Sequence, residues 1–182
     1  KPGNVFCGEV HRLDRPTSGA VVFARTSKAL ERLNAQFREK DTAKKYWAIV
    51  ESVPEKSSGT LVHFLKKNEK QNKSYATLNE IPGSKKAILH YQLVASSDRY
   101  HLLEIELETG RHHQIRCQLA TIGCVIKGDL KYGAKRANPD ASISLHARQL
   151  EFDHPTTKER IVVIAPVPNE QLWNHFESSM AV

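Results

Sequence analysis

The feature that most constrains the fold is an alternation of apolar and polar residues over residues 100–108, which is clearest from Leu103 to Glu108. Leu103, Ile105 and Leu107 fall on one side of an extended chain, and the three glutamates that alternate with them fall on the other. A two-residue period is typical of a half-buried β-strand in an antiparallel pair. Residues 90–94 alternate in the same way, so we predict that the two segments are strands of one sheet.

Other short apolar runs predict further strands, and one polar segment predicts an exposed hairpin. The strand segments are residues 20–25, 46–50, 143–146 and 160–165, and the first of these should be buried because it is mostly apolar. Residues 54–84 combine lysines with Gly and Pro turns, a composition that is typical of an exposed hairpin region.

Two helices are predicted beside these strands. The first covers residues 28–40 behind a Thr26 or Ser27 cap, and its apolar residues recur at three- and four-residue spacing. The second covers residues 114–121 and ends at Gly123. Because strands outnumber helices and most links are short, we predict an α+β fold with a mixed, largely antiparallel sheet and packed helices.

Charge and cysteine content narrow the classes of function. The 27 Lys and Arg against 20 Asp and Glu give a net charge of +7 and an isoelectric point near 9.4, which favours RNA as a partner. The three cysteines have no CxxC spacing, and their odd number argues against a disulfide framework. No apolar run approaches the ~18 residues of a membrane span. We therefore expect one cytoplasmic domain over residues 1–182, with no membrane partner.

The first stretch that suggests chemistry is His-Arg-Leu-Asp-Arg-Pro-Thr-Ser-Gly at residues 11–19. Two arginines flank Asp14, and their charge favours the ionised carboxylate. Pro16 prevents a helix from starting there, and the Thr-Ser-Gly that follows suits a tight loop. An aspartate in such a loop is more often a turn or salt-bridge residue, so this stretch alone leaves a structural role open.

The second stretch is Thr-Gly-Arg-His-His-Gln-Ile-Arg at residues 109–116, between a predicted strand and a predicted helix. Gly110 allows a sharp turn, and the free N–H groups at a helix start suit an anion. Arg111 and Arg116 add fixed positive charge. A basic helix terminus at the surface, or an Arg116 that pairs with any nearby acid, would explain the same residues without a function.

Together with three further stretches, these two resemble the RluA-type family of pseudouridine synthases. The resemblance implies the pseudouridine synthase catalytic fold and an isomerase that acts on uridines of ribosomal RNA, transfer RNA or both. It extends from Val10 to Pro168. The matching stretches are HRLDRPTSG at 11–19, KKYWAIV at 44–50, GRHHQIR at 110–116, GDLKYG at 128–133 and SLHA at 144–147.

The resemblance implies three catalytic residues. Asp14 matches the family's essential aspartate. Tyr46 matches the tyrosine that stacks under the target base and can take part in proton transfer. Arg116 matches the basic residue that pairs with the aspartate.

Four further residues are expected to bind the substrate or the surrounding RNA. Arg12 matches an arginine thought to fill the space that the extruded uridine leaves. Leu145 resembles the apolar wall of the uracil pocket. Arg111 and His113, from the same basic stretch as the catalytic arginine, are added to the RNA-binding residues.

The implied reaction breaks the N1–C1′ bond, turns the uracil and joins C5 to C1′. No atoms enter or leave, so no metal, nucleotide or redox cofactor is required. An ionised Asp14 could attack C1′ or remove a proton in a glycal route, and the sequence does not decide between these. A uridine in folded RNA must be flipped out at a cost of a few kcal/mol, of which stacking on Tyr46 would return ~1–3 kcal/mol.

Two other functions compete with this interpretation. A non-catalytic RNA-binding module could keep the fold, although the presence of Asp14, Tyr46 and Arg116 argues against it. A nuclease could use His112 or His113 with Arg116, and it would shorten RNA, whereas an isomerase would not. The histidines show neither HExxH nor HxH spacing, so no metal site is expected.

The N-terminus departs from the family pattern. Lys1-Pro2 echoes a Lys-Pro stretch that precedes the HRLD motif in relatives, but unusually few residues separate it from His11. We expect a trimmed or incomplete N-terminal edge and no separate N-terminal RNA-binding domain. Target recognition would then rest on the basic surface, with residues 54–86 and 127–136 as candidate contact regions. A monomer is the default expectation.

Overall fold

A computed structural model describes residues 5–39 and 41–180, and one large sheet dominates it. The elements in chain order are β1 (Gly8–Glu9), β2 (Ser18–Gly19), β3 (Phe23–Ala24), α1 (Ser27–Glu39), β4 (Ala43–Val50), β5 (Ser58–Asn68), β6 (Lys73–Thr77), β7 (Lys85–Ser96), β8 (His101–Leu107), α2 (Gln114–Thr121), a short 3-10 turn (Leu130–Tyr132), β9 (Leu145–Asp153), β10 (Arg160–Ile164) and α3 (Gln171–Met180).

Within these residues, eight strands form the large sheet. Their order is β10-β9-β4-β8-β7-β5-β6, with β2 joined to β9, while β1 and β3 form a separate two-stranded ribbon. β2 runs parallel to β9, and the other pairs are antiparallel. The predicted α+β class, with its mixed and largely antiparallel sheet, is confirmed.

The core lies on both faces of this sheet. On one face, Leu103 and Ile105 of β8 are fully buried and pack in one cluster with Leu119 of α2. On the opposite face, Leu102 is equally buried and packs in a cluster with Trp173 of α3. The predicted strand is confirmed, and Glu106 on its second face is exposed as expected. The same face is covered at Leu102, because α3, a helix that the sequence analysis does not predict, packs there.

The two predicted helices form as α1 and α2. The hydroxyl of Thr26 accepts the backbone N–H of Ala29 at 3.1 Å, so Thr26 is the residue that caps α1. α1 packs Leu33 against Leu150 of β9. α2 begins and ends where the sequence predicts, and Gly123 follows it with a φ of 82° that suits glycine.

The prediction of a buried strand over residues 20–25 is wrong in part. Only β3 pairs there, with the two residues of β1, and Phe23 is 53% exposed whereas Ala24 is buried. The preceding strand β2 lies against β9 so closely that a Cβ on Gly19, whose φ is 128°, would collide with the backbone of Ala147. Beyond that contact the chain packs against α1 instead of continuing in the large sheet.

The remaining predicted strands need smaller corrections. The strand predicted over residues 143–146 begins at Leu145 and continues through β9, because its later residues pair with both β4 and β10. The strand predicted over residues 160–165 is β10, and the exposed hairpin region is β5 and β6. The predicted helix end at Lys40 and the resemblance at Lys1-Pro2 lie outside the described residues. No helix in the described ranges is long and apolar enough to cross a membrane.

Candidate active site

A cavity of about 340 Å³ opens beside β4, and the loop before β2 and the turn that leads into α2 also line it. The residues predicted for catalysis and for substrate binding come from four separate segments of the sequence. All seven of them line this cavity: Arg12, Asp14, Tyr46, Arg111, His113, Arg116 and Leu145. The fold therefore brings the predicted site residues together in one place.

The loop that carries Asp14 is attached to β9. The backbone N–H of Thr17 donates to the Asp14 carbonyl at 2.8 Å, which closes a tight turn. Ser18 then pairs with His146 in the parallel β2–β9 ladder. His146 Nε2 lies 3.0 Å from the Ala165 carbonyl and donates to it, so its Nδ1 accepts the Ser18 hydroxyl at 2.7 Å. These bonds hold the Asp14 backbone against the rigid sheet.

His11 orients the same loop from its other end. Its Nε2 accepts the backbone N–H of Val22 at 3.1 Å, and its ring stacks on Phe37 of α1 with centroids 4.8 Å apart. Burial, followed by the charge of Lys44, lowers the pKa of His11 to about 4. The ring is therefore neutral near pH 7, which suits a role in orienting the loop better than proton transfer.

Arg116 contacts two carboxylates. Its Nε and Nη2 donate to Asp129 at 2.8 Å each, and its Nη1 stands 3.6 Å from Asp14 Oδ2. Asp129 is only 1% exposed. Burial opposes the charge of Arg116, but the hydrogen bonds and charge of Asp129 outweigh it and raise the pKa of the guanidinium group. Asp129 thus holds Arg116 in place and leaves one edge of it directed at Asp14.

Sequence reasoning did not assign a role to Asp129. The residue lies in the GDLKYG stretch at 128–133, which contributed to the family resemblance without a named function. The one available signal was an acidic residue in a matched stretch that also carries an aromatic. The guanidinium carbon of Arg116 lies 5.1 Å from the ring centre of that aromatic, Tyr132.

Tyr46 and Leu145 form an apolar wall of the cavity. Leu145 is buried, and Tyr46 packs against the same cluster on β4. Burial, followed by the negative charge of Asp14, raises the pKa of Tyr46 to about 12. The phenol therefore keeps its proton near pH 7 and presents a neutral aromatic ring beside the Asp14 carboxylate.

His113 is held in one tautomer by a short chain of hydrogen bonds. The backbone N–H of Ser74 donates to the Tyr132 hydroxyl at 2.9 Å. In the described residues His113 Nδ1, at 2.8 Å, is the one acceptor near this hydroxyl, so we assign the hydroxyl proton to that bond. Burial, followed by the charge of Arg116, lowers the pKa of His113 to about 3. The ring is neutral, and its remaining proton is on Nε2.

His112 is also neutral, and both of its ring nitrogens are hydrogen-bonded. It stacks on His113 with centroids 3.7 Å apart, and its two nitrogens contact Ser74 Oγ at 2.8 Å and Asn72 Oδ1 at 3.0 Å. Burial lowers its pKa. Two neutral, hydrogen-bonded histidines give little support to a nuclease that would use them as acid and base. Among the residues that the structure describes, no three His, Cys, Asp or Glu side chains come close enough to hold a metal ion.

Arg12 and Arg111 lie at the exposed rim. Arg12 pairs with Glu9 at 2.6 Å, although its side chain is 82% exposed. Arg111 donates from Nε to the Lys86 carbonyl at 2.9 Å, and its backbone N–H donates to the amide oxygen of Gln114. Both guanidinium groups therefore stand where a polyanion can approach the cavity.

Comparison with known proteins finds relatives of one kind. Residues 2–121 match the family described as RNA pseudouridylate synthase. The chain is 40% identical over 164 residues to the RNA pseudouridine synthase YhcT of Bacillus subtilis, an alignment that covers 87% of this chain and 52% of that protein. It is 37% identical over 160 residues to an RNA pseudouridine synthase of Zymomonas mobilis, covering 87% and 72% respectively.

Other relatives agree with these. The chain is 35% identical over 179 residues to the ribosomal large subunit pseudouridine synthase D of Pseudomonas aeruginosa, covering 91% of this chain and 55% of that one. The solved structure of human RNA pseudouridylate synthase domain containing 4 superimposes with a TM-score of 0.76 at 25% identity, covering 93% of this chain and 74% of that chain. The chain spans about half the length of several relatives that it matches.

Proposed function

Since the chain belongs to the RluA-type family of RNA pseudouridine synthases, we propose that it isomerises uridine to pseudouridine in folded RNA, with Asp14 as the catalytic carboxylate. The observation that carries this proposal is the meeting of Asp14, Arg116 and Tyr46 in one cavity. These residues supply a carboxylate, a fixed cation and a neutral aromatic ring, which are the groups that this isomerisation needs.

Asp14 is suited to act on C1′ of the target nucleotide. Its side chain is 30% exposed, so it can reach a substrate, and the guanidinium group of Arg116 stands 3.6 Å from Oδ2. Attack on C1′ and proton removal in a glycal route both begin with this charged oxygen. In either route the N1–C1′ bond breaks, the uracil turns within the cavity, and its C5 bonds to C1′.

Tyr46 and Leu145 would hold the extruded uracil. The base has to leave its helix, and stacking on the Tyr46 ring would recover ~1–3 kcal/mol of that cost. With a pKa of about 12, the Tyr46 hydroxyl is also a proton donor near pH 7. His113 would add the Nε2–H donor that its tautomer leaves available.

The two rim arginines would act on the RNA outside the cavity. Arg12 is highly exposed and its only ion pair within the described chain is with the partly exposed Glu9, so it can exchange this partner for RNA. We assign to it the space that the uridine vacates. Arg111 would contact the strand beside the flipped nucleotide.

The first test uses RNA labelled with tritium at uracil C5, with no added metal or nucleotide. Formation of the C5–C1′ bond requires loss of the C5 hydrogen, so wild-type protein should release tritium to water while RNA length stays unchanged. Shortened RNA would favour the nuclease instead. Binding without tritium release from either ribosomal or transfer RNA would contradict the catalytic proposal and favour a binding module.

The target RNA is the finer part of the proposal. One relative is a ribosomal large subunit pseudouridine synthase by name, so we propose ribosomal RNA first and transfer RNA second, in the cytoplasm. Unmodified transcripts of both, labelled and assayed side by side, would show which one this chain modifies.

A further inference from the structure

Lys44 lies at the boundary between two cavities. It precedes Tyr46 by two residues on β4, so the two side chains share one face of the strand. Both line the cavity that holds Asp14, and Lys44 also lines a second cavity of about 320 Å³. Leu107 and Arg111 are common to both cavities as well, so the second one is a direct extension of the first.

The ammonium group of Lys44 has no anionic partner in the described ranges. Its Nζ lies 4.8 Å from the centre of the Phe37 ring, and it takes part in neither an ion pair nor a hydrogen bond there. The side chain is partly buried, and burial lowers its pKa. A desolvated and unpaired cation costs free energy, so a position of this kind is best explained by an anion that binds there.

The neighbouring residue shows the opposite arrangement. Lys45 points to the other face of β4, where its Nζ contacts Glu104 at 3.4 Å and Glu106 at 3.5 Å. The charge of Glu104 raises the pKa of Lys45. The two adjacent lysines therefore differ in their ion pairs. Lys45 contacts two glutamates, whereas Lys44 contacts no carboxylate within the described residues.

The second cavity is also positive. Arg38, Lys44 and Arg111 line it with a single carboxylate, that of Glu108. Glu108 Oε2 lies 3.0 Å from His90 Nε2, and within the described residues the carboxylate forms no ion pair with Lys44. A strand of phosphodiesters that leaves the Asp14 cavity in this direction would meet three cations.

We propose that Lys44 binds a phosphodiester next to the uridine whose base enters the Asp14 cavity, and that the second cavity guides the RNA strand away from it. This inference rests on the proposed function, because it takes the bound polyanion to be the substrate RNA. An ammonium group is a suitable point charge for a phosphate, and aromatic contact with Phe37 limits the directions in which it can reach. Lys44 is thus a substrate-positioning residue.

The test compares Lys44→Gln with Lys45→Gln, using unmodified ribosomal and transfer RNA transcripts as probes. Dissociation constants are measured at several salt concentrations, and tritium release gives KM and kcat. For Lys44→Gln, we expect the slope of log K against log salt to fall by ~0.7 to 0.9, as loss of one phosphate contact requires. KM should rise about tenfold, with kcat nearly unchanged. Lys44→Arg should restore the slope, and Lys45→Gln should not change it.

Each outcome separates the two proposals. An unchanged salt slope in folded Lys44→Gln would overturn the phosphate contact, whether or not the variant is active. A lower kcat with an unchanged slope would overturn it too, since Lys44 would then act on the reaction itself. If wild-type protein binds RNA but releases no tritium, the proposed function fails while the slopes still test Lys44. Thermal melting of both variants identifies any loss of folding.

Discussion

Asp129 and Asp14 contact the same guanidinium group from different environments. Asp129 is 1% exposed and accepts two hydrogen bonds of 2.8 Å from Arg116. Asp14 is 30% exposed and stands 3.6 Å from the other edge of the arginine. Arg116 donates to both oxygens of Asp129, whereas the Asp14 side chain lines the cavity.

The two environments suit different roles, a structural one for Asp129 and a chemical one for Asp14. A buried carboxylate with two ideal bonds to an arginine cannot approach a substrate, but it fixes the position of the cation. A partly exposed carboxylate near that cation stays accessible to a substrate. The arrangement predicts that loss of Asp129 harms the fold and that loss of Asp14 harms the reaction.

The largest effect on stability should follow Asp129→Asn. The change leaves the Arg116 cation buried without its full anionic partner, which costs about 3–5 kcal/mol in the free energy of unfolding. Urea or thermal unfolding would measure this. Asp14→Asn, in contrast, should cost less than about 1 kcal/mol because its contact is long and partly exposed.

The exposed Asp98→Asn is the matched control and should stay within about 0.5 kcal/mol of wild type. Equal destabilisation by Asp129→Asn and Asp14→Asn would break the comparison, since both carboxylates would then be structural.

The next largest effect concerns catalysis and follows substitution of Tyr46, which lines the cavity. Tyr46→Ala should lose ~1–3 kcal/mol of base stacking, and this loss should appear in kcat/KM for tritium release. Tyr46→Phe keeps the ring, so it should retain most of the substrate affinity. If Tyr46→Phe lowers kcat/KM as much as Tyr46→Ala does, the hydroxyl and its proton matter more than stacking.

The buried His113 predicts that the free energy of unfolding depends on pH. In the folded chain the pKa of His113 is about 3, lowered first by burial, whereas the unfolded chain takes up the proton near 6.5. Between these values the unfolded state binds more protons, so stability is full above pH 6.5 and falls as the pH drops. Each such group contributes at most about 1.4 kcal/mol per pH unit. Unfolding of His113→Gln between pH 6.5 and 4 should therefore show a shallower loss than wild type.

His11, with a pKa of about 4, should contribute part of the remaining loss. The exposed His175→Gln serves as the control and should keep the wild-type slope. A His113→Gln slope equal to that of wild type would mean that the histidine is not kept neutral by its burial.

The smallest effect is expected at the rim. The exposed pair of Arg12 and Glu9 should contribute less than about 1 kcal/mol to stability, so Arg12→Ala should melt like wild type. Its effect should appear as weaker RNA binding at low salt that fades as salt is added. A clear loss of stability would show that this arginine belongs to the folded framework instead.

The parts of the molecule that sequence predicts well depend on local signals. α2 was predicted to its exact bounds because the turn before it and Gly123 after it mark both ends. The residues expected in the site each lie in a continuous stretch that carries the family resemblance, and their roles stay predictions. The fold then had only to bring four such stretches to one cavity.

The parts that sequence missed depend on contacts between distant segments. The partnership of Arg116 with Asp129 joins a helix to a loop, and neither residue reveals its partner in the linear order. α3 was not predicted, although Leu172, Trp173, Phe176 and Met180 recur at helical spacing. Its role appears only where Trp173 covers the second face of the sheet. The prediction of a strand over residues 20–25 is wrong in part. β2, just before this segment, occupies the position beside β9, and the chain then leaves the large sheet.

The most direct measurement of the central claim is tritium release from C5-labelled RNA by wild type and by Asp14→Asn, at RNA concentrations that saturate both. We predict that the variant binds the RNA and unfolds like wild type but releases tritium at least a thousandfold more slowly, roughly the loss expected when the reacting group is removed. Release by Asp14→Asn at a rate near that of wild type would contradict the assignment of Asp14 as the catalytic carboxylate.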